Sequence, residues 1–250
     1  MMMRVSIVGA RGRMGATVVE AVRSAPDMTV ALTVDAGDDL GSITPDNTDV
    51  AVEFTVPSAS LRNVLTLVRS GVSVVVGTTG WTDEGFAAVR DAVDSASRAG
   101  QSVVIAPNYA LSAVLMERFA RQAARYFESV EVIEMHHPDK VDAPSGTALH
   151  TARVVAKARE DAGLGAMPDA TTGDETSRGQ VVDGVHVHAI RLRGLNAHEE
   201  VLLGNPGEQL VLRADSFDRS SFMPGVLMAV RSAASGTRPG LTVGLEPLMD

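Results

Sequence analysis

The 250-residue sequence contains no cysteine, no long apolar run and fewer basic than acidic residues. The lack of cysteine excludes disulfides, thiolate metal ligands and a cysteine nucleophile, and it fits a reducing compartment. No apolar stretch approaches the length needed to cross a bilayer, and the first residues lack the pattern of a signal peptide, so we expect a cytoplasmic protein with no membrane partner. The formal net charge of −9 argues against a nucleic-acid partner, because phosphate binding requires a basic surface.

The first hundred residues alternate between short β-branched runs and segments of helical spacing. Strands are predicted at 4–8, 29–34, 49–55, 72–76 and 102–106, and helices after the first of these, at 58–70 and at 82–99. This alternation predicts an α/β domain built on a doubly wound parallel sheet of the Rossmann type. In such sheets ligands bind at the C-terminal ends of the strands.

A glycine-rich turn, Gly9-Ala10-Arg11-Gly12-Arg13-Met14-Gly15, links the first predicted strand to a helix. The pattern is a variant of the dinucleotide fingerprint, in which glycines and a helix N-terminus accept the pyrophosphate. Asp35 ends the second strand, where a carboxylate accepts the ribose hydroxyls. The sequence therefore predicts a nicotinamide dinucleotide site with NADH favoured. NADPH remains usable because Arg11 could neutralise a 2′-phosphate; the alternatives are a turn at Asp35 and a solvated Arg11.

Two further turns follow predicted strands of the same sheet. They are Gly77-Thr78-Thr79 and Ala106-Pro107-Asn108-Tyr109, and both are candidate walls for the nicotinamide half of the cofactor. Taken alone, each turn also fits an ordinary tight connection.

The second half of the chain predicts an α+β domain with an open mixed or antiparallel sheet. Helices are predicted at 112–128 and from Ser145, a strand at 130–135, and a meander of strands at 185–193, 198–204 and 209–214. Residues 162–184 lack an apolar period and predict a long flexible loop that could act as a lid. A helix at 220–234 and a strand at 241–245 are expected to return to the first domain. The predicted domains are 1–107, completed by 218–250, for the dinucleotide, and 108–217 for substrate and oligomerisation.

The segment Glu134-Met-His-His-Pro-Asp-Lys-Val-Asp-Ala-Pro-Ser-Gly-Thr147 places two imidazoles and an ammonium beside a predicted helix start. Imidazole gives up a proton near neutral pH, and Lys140 adds a fixed positive charge. The backbone N–H groups of Gly146 and Thr147 are placed to bind a carboxylate or phosphate. The alternative is that the histidines end a strand, Lys140 is solvated and Ser145 only caps the helix.

A metal site is the less favoured interpretation of the histidines. His136, His137, Asp139 and Asp142 could hold a metal, but Lys140 would repel it. The other histidine cluster lacks the spacing of known metal motifs and fits a strand surface; it consists of His186, His188 and His198. We therefore expect no metal.

These motifs together resemble the 4-hydroxy-tetrahydrodipicolinate reductase (dihydrodipicolinate reductase) family of lysine and diaminopimelate biosynthesis. The resemblance is carried by the glycine turn 9–15, Gly77–Gly80, Ala106–Asn108 and, most specifically, residues 134–147. It implies hydride transfer from NADH or NADPH to a cyclic unsaturated dicarboxylate, in a homotetramer joined through the sheets of the second domain. It further implies roles for five residues: a proton donor, His136, with its cationic partner, Lys140, and a substrate-carboxylate site made of His137, Gly146 and Thr147.

The sequence departs from the family pattern at two positions and in the loop 162–184, which matches no pattern of the family. Ala36 follows Asp35 where many members carry an arginine, and Ala214 stands where relatives often have a histidine. Two other functions remain open: a reductase of another small carbonyl acid, and a protein that senses NAD(H) without chemistry. A sensor would not need His136 and Lys140 together with the predicted anion site.

Overall fold

The computed structural model describes residues 2–96, 98–173 and 175–249. The chain forms two compact units, Met1–Ala110 with Arg219–Asp250 and Leu111–Asp218. Ser97, which the predicted helix 82–99 includes, lies outside the described residues. Within them, the helices are too short or too polar to span a membrane.

The first unit is organised around a parallel sheet of six strands. Its strands are β1 (Met3–Val8), β2 (Met28–Val34), β3 (Val50–Glu53), β4 (Ser73–Val76), β5 (Ser102–Ile105) and the last strand of the chain, β11 (Gly240–Val243). The order across the sheet is β11-β5-β4-β3-β1-β2. Every residue of β3, β4 and β5 is buried, as expected for central strands covered on both faces. The predicted doubly wound parallel sheet is confirmed.

Four helices of the first unit connect or cover these strands. They are α1 (Arg13–Ser24), α2 (Pro57–Arg69), α3 (Asp83–Asp94) and α6 (Met223–Ser235). Pro57 begins α2, where its missing N–H has no intrahelical partner to lose. The Thr82 hydroxyl accepts a hydrogen bond from the backbone N–H of Gly85 and caps α3. The predicted helix over 82–99 is too long, since α3 ends at Asp94.

The second unit carries a mixed sheet of five strands and two helices. Its elements are α4 (Leu111–Ala123), β6 (Ser129–His136), α5 (Gly146–Asp161), β7 (Gln180–Val182), β8 (Val185–Arg191), β9 (Ala197–Asn205) and β10 (Glu208–Ser216). The strand order is β10-β9-β6-β8-β7, with β6 at the centre. The α/β and α+β classes predicted for the two halves therefore hold.

The predicted meander of β8, β9 and β10 is wrong for β8, which does not pair with β9. β9 pairs antiparallel with both β10 and β6, whereas β8 pairs parallel with the opposite edge of β6. The connection from β8 to β9 therefore passes the C-terminal end of β6, where the N–H of Leu192 donates to the carbonyl of His136 at 3.0 Å. Apolar alternation fixes which face of a strand is buried but not which strand lies beside it.

The expected long loop at 162–184 is wrong at its C-terminal end. Residues Glu175–Arg178 form a 3₁₀ turn, and β7 adds an antiparallel edge strand to β8. The Arg178 guanidinium bonds Glu131 on β6 at 2.5 Å and also contacts Asp169. Three residues are too few to show an alternating pattern, which is why the sequence did not reveal β7.

Within the described part of the second unit, helices α4 and α5 pack against one face of its sheet. The buried side chains of that face include Val130, Val132, Val201 and Leu203, which pack against residues of α4 and α5. Because side chains alternate along strands, their sequence neighbours point to the other face. Two of the residues on that other face, Ile190 and Val211, are 41% and 46% exposed.

Candidate active site

The first unit holds the glycine turn in the geometry that a dinucleotide requires. Gly9 has φ +87°, and a Cβ there would lie 2.2 Å from the carbonyl oxygen of Phe54. A Cβ on Gly15 would lie 2.0 Å from the carbonyl oxygen of Gly9, so α1 packs directly on the turn. Gly12 is the N-cap of α1, and no side chain caps that helix. Its first N–H groups, including those of Arg13 and Met14, therefore remain available for an anion.

Asp35 lies at the end of β2, as the sequence predicts, and is bound to the glycine turn. The backbone N–H of Arg11 donates to both carboxylate oxygens of Asp35, at 3.0 and 3.2 Å. The Arg11 side chain is 81% exposed, and its Nε lies 3.6 Å from the same carboxylate. This contact is longer than a hydrogen bond, so it holds the exposed guanidinium only weakly.

A cleft of about 700 Å³ lies beside Asp35 in the first unit. Its walls include Gly9, Gly12 and Asp35, together with Arg62 and Thr66 of α2. The size, the glycine floor and the carboxylate fit a nicotinamide dinucleotide. Sequence reasoning missed α2 as a wall, since its helical spacing gives no sign of a ligand.

The candidate nicotinamide walls at the ends of β4 and β5 differ in exposure. Thr78 is 6% exposed, and its hydroxyl donates to the buried Glu53 carboxylate at 2.8 Å. Thr79 and Pro107 are exposed, Asn108 is half-buried and Ala106 is buried.

Tyr109 is 3% exposed, and its hydroxyl donates to the Val76 carbonyl at 2.7 Å. Burial raises the pKa of Tyr109. The hydroxyl groups of Thr78 and Tyr109 thus already donate hydrogen bonds within the protein. At these two positions only backbone atoms remain for contact with a cofactor.

In the second unit, the end of β6 carries a buried carboxylate beside a histidine. Glu134 and His136 lie two residues apart on one face of the strand, and Glu134 is 0% exposed. The Oε2 atom of Glu134 lies 2.5 Å from Nδ1 of His136. The guanidinium of Arg191, from β8, donates to both oxygens of Glu134 at 2.7 Å. A bidentate ion pair of this kind fixes the carboxylate in one orientation.

The same carboxylate reaches the start of α5. Its Oε1 accepts a hydrogen bond from the backbone N–H of Ser145 at 3.0 Å. The Ser145 hydroxyl caps α5 by accepting from the N–H of Ala148. Gly146 is exposed, with no neighbouring atom within 4 Å of a Cβ position. The ammonium of Lys140 and the backbone N–H of Gly146 both bond the Asp142 carboxylate and lower its pKa. A substrate carboxylate that binds the N–H groups of Gly146 and Thr147 therefore has to replace Asp142 there.

Lys140 and His137 lie on the segment between β6 and α5. The ammonium of Lys140 bonds the carboxylate of Asp142 at 2.7 Å, and the Lys140 side chain is 24% exposed. Arg191 also donates to the carbonyl of Asp142 at 2.6 Å. His137 is half-buried, and its carbonyl accepts from the N–H of Lys140.

Electrostatics set the protonation states at this site. Burial penalises the charge on Glu134, but hydrogen bonds from Arg191 and His136 outweigh that penalty and hold its pKa below the usual range. Burial also lowers the pKa of His136; Glu134 raises it, and the charges of Lys140 and Arg191 lower it further, leaving it below its usual value. Glu134 is therefore ionised at neutral pH, and a smaller share of His136 is protonated there than of an ordinary histidine.

Sequence reasoning missed two residues of this site. Glu134 belongs to the motif, but sequence reasoning assigned it no role. A signal was available, because Glu134 follows Val130 and Val132 on the apolar face of a strand, where a carboxylate needs hydrogen-bond partners. Arg191 gave no signal, because it lies 57 residues from Glu134 and meets it only through the β6–β8 pairing.

The remaining histidines pair with acidic groups. His188 contacts Glu131 at 2.7 Å, and His198 contacts Asp215 at 2.5 Å. Among the described residues, the acidic, histidine and cysteine side chains form no group of three that could hold a metal.

The first unit is a Rossmann domain whose second strand ends at a carboxylate. The second unit places a buried carboxylate and a histidine beside the start of a helix. These two features together define a nicotinamide-dependent oxidoreductase. Two family descriptions match nearly the whole chain: "Dihydrodipicolinate reductase, N-terminus" over residues 3–109 and "Dihydrodipicolinate reductase, C-terminus" over residues 112–249. The chain belongs to the dihydrodipicolinate reductase family, and its Rossmann unit binds a nicotinamide cofactor.

Individual relatives agree with this assignment. The chain is 70% identical to the 4-hydroxy-tetrahydrodipicolinate reductase of Bifidobacterium animalis subsp. lactis (strain AD011) and 56% identical to that of Beutenbergia cavernae, with 100% of each chain covered. Among solved structures, it resembles the dipicolinate-bound dihydrodipicolinate reductase of Paenisporosarcina sp. TG-14 with a TM-score of 0.87. That similarity covers 99% of both chains at 33% identity. The family resemblance predicted from the sequence is confirmed.

Proposed function

We propose that this chain reduces 4-hydroxy-tetrahydrodipicolinate to tetrahydrodipicolinate with NADH or NADPH, in the diaminopimelate and lysine pathway. The observation that carries the proposal is the ionised Glu134, which holds both His136 and the start of α5. A proton donor and an anion site are thereby fixed by one group. Family membership and the dipicolinate bound to a relative support a cyclic dicarboxylate as substrate.

Each unit has its own part in the reaction. Residues Met1–Ala110 with Arg219–Asp250 bind the dinucleotide, which supplies the hydride, and Leu111–Asp218 binds the substrate. The N–H groups of Gly146 and Thr147, with His137, hold a substrate carboxylate. His136 donates a proton to the ring, and Lys140 stabilises negative charge that develops there. The cysteine-free sequence fits a reducing compartment, and we place the protein in the cytoplasm.

A carboxylate of the bound substrate is expected to favour the protonated form of His136, which is the proton donor. The pKa of His136 is below its usual value in the protein alone, so little imidazolium is present at neutral pH. A bound dicarboxylate raises that pKa, because an opposite charge nearby favours the charged form. Since the protonated form is the active one, turnover should fall as pH rises through the pKa of His136 in the substrate complex.

We test the assignment with a coupled assay, in which the synthase makes the unstable substrate from pyruvate and aspartate semialdehyde while NADH oxidation is followed. His136→Gln should lower kcat about 10²- to 10⁴-fold, the usual range for a lost general acid. His150→Gln is the matched control, because His150 lies on α5 of the same unit and is 56% exposed. A wild-type protein that binds NADH by fluorescence but oxidises none would identify a sensor instead.

We also propose that NADH is favoured and NADPH remains usable. Asp35 repels a 2′-phosphate, and the exposed side chain of Arg11, next to Asp35, can offset that repulsion. Asp35→Asn should therefore lower kcat/KM for NADH and raise the share of NADPH use. Arg11→Gln should weaken NADPH more than NADH, and equal losses for both cofactors would contradict this account.

The open face of the second sheet supports a homotetramer. Ile190 and Val211 leave exposed apolar surface on the face opposite α4 and α5. Light scattering should give about four times the 26.2 kDa of the chain. Val211→Glu should dissociate the tetramer, whereas Val243→Glu, at an equally exposed valine of the first unit, should not. An intact Val211→Glu tetramer would place the interface elsewhere.

A further inference from the structure

Glu134 accepts hydrogen bonds at every lone-pair position of its carboxylate. Oε1 takes the N–H of Ser145 at 3.0 Å and one Arg191 nitrogen at 2.7 Å. Oε2 takes the other Arg191 nitrogen at 2.7 Å and lies 2.5 Å from His136 Nδ1. A carboxylate surrounded in this way has no room for a proton of its own, because an O–H would meet a donor on every side.

The ring of His136 is thereby restricted to one tautomer. Facing an acceptor-only carboxylate, Nδ1 must carry a hydrogen. In the neutral ring Nε2 is then the basic nitrogen, and in the imidazolium Nε2–H is the proton that can leave. The choice of nitrogen is made by Glu134 and not by the substrate.

The same group determines where the anion site begins. Ser145 is the N-cap of α5, and its backbone N–H is bound by Glu134 while its hydroxyl is bound by Ala148. The N–H groups that follow, of Gly146 and Thr147, lie in the first turn of α5, and that of Gly146 bonds the Asp142 carboxylate. Arg191 supplies the charge that makes a fully buried carboxylate tolerable at this position.

We propose that Glu134 is a positioning residue, which fixes His136 with its Nε2 as the proton donor and holds the start of α5 as the carboxylate site. The proposal rests on the reductase function given above. In this proposal the side chain of Glu134 alone aligns the proton donor with the site of the substrate carboxylate. A purely structural Glu134 would only neutralise Arg191.

The test compares Glu134→Gln with Glu131→Gln. Glu131 lies on the same strand and likewise contacts an arginine, Arg178, and a histidine, His188, but it faces the opposite side of the sheet. In Glu134→Gln one carboxylate oxygen becomes an NH₂ group, which donates hydrogen bonds and cannot accept them. The amide therefore cannot accept hydrogen bonds from His136, Arg191 and Ser145 together. We expect kcat to fall about 100-fold or more, by analogy with the orienting carboxylate of other histidine sites. The loss of turnover with pH should also move to lower pH.

A second readout does not depend on turnover. In protein labelled with ¹⁵N at histidine only, solid-state spectra distinguish the two neutral tautomers, and His136→Gln assigns the signal. Wild-type His136 should carry its hydrogen on Nδ1 at alkaline pH, Glu131→Gln should retain it there, and Glu134→Gln should lose that preference. Should Glu134→Gln not fold, the wild-type spectrum still decides.

A wild-type His136 with its hydrogen on Nε2 would overturn the proposal. So would an unchanged pH profile in Glu134→Gln, or an equal loss of turnover in Glu131→Gln. Failure of the reductase assignment is distinguishable, since wild-type protein would then be inactive whatever the tautomer of His136.

Discussion

Glu199 provides a quantitative test of the electrostatics inside the second unit. It lies on β9 directly opposite Glu134 of β6 and is 6% exposed. Its Oε1 has no hydrogen-bond partner among the residues that the structure describes. Burial, with smaller contributions from the charges of Glu117 and Glu134, raises the pKa of Glu199 from 4.5 to about 7. Its proton is therefore bound more tightly in the folded protein than in the unfolded chain.

The sign and size of the effect on stability follow from that difference. A group whose pKa is raised by folding stabilises the protein below its unfolded pKa, and the contribution is lost as pH rises through the folded value. The difference amounts to about 3 kcal/mol over the full range, of which roughly 2 to 3 kcal/mol falls between pH 5 and pH 8. Wild-type protein should lose that much free energy of unfolding relative to Glu199→Gln over this interval.

Urea denaturation at pH 5, 6, 7 and 8 measures the difference at one fixed protein concentration. Asp27→Asn is the control, because the hydrogen bond from Arg231 lowers the pKa of Asp27 and its titration lies below this interval. A difference between wild type and Glu199→Gln that stays flat, or grows in favour of wild type with pH, would refute a protonated Glu199.

Two further substitutions test the packing of each unit. Gly15→Ala should weaken NADH binding at least about tenfold and lower the melting temperature, because the new Cβ would lie 2.0 Å from the Gly9 carbonyl oxygen. Gly165→Ala is the control and should change neither, because no atom lies within 4 Å of its Cβ position. Arg159→Met should cost about 2 kcal/mol in urea denaturation, since Arg159 is 5% exposed and its guanidinium donates to backbone carbonyls of Phe127, Glu128 and Gly165. Arg153→Met, at an exposed position of the same helix, should change stability little.

The first unit was largely predictable because its signals are local. The apolar runs of β3, β4 and β5 are typical of parallel strands, and the glycine turn needs only seven consecutive residues. The second unit was less so. A meander was predicted from short turns, but β6 takes the central place and separates β8 from β9. The three-residue edge strand β7 is too short to carry a pattern.

The sequence by itself determined which reactive groups stand together in the proposed site, since histidine, lysine and a predicted anion-binding helix start occur within residues 134–147. Short-range order of this kind follows from covalent spacing alone. Only the tertiary structure decided how that chemistry is held. Arg191 reaches Glu134 through strand pairing across 57 residues. Hydrogen bonds from Arg191 and His136 keep the buried Glu134 charged, whereas burial keeps Glu199 protonated at slightly acidic pH. Pairing and burial depend on long-range packing, which no local pattern records.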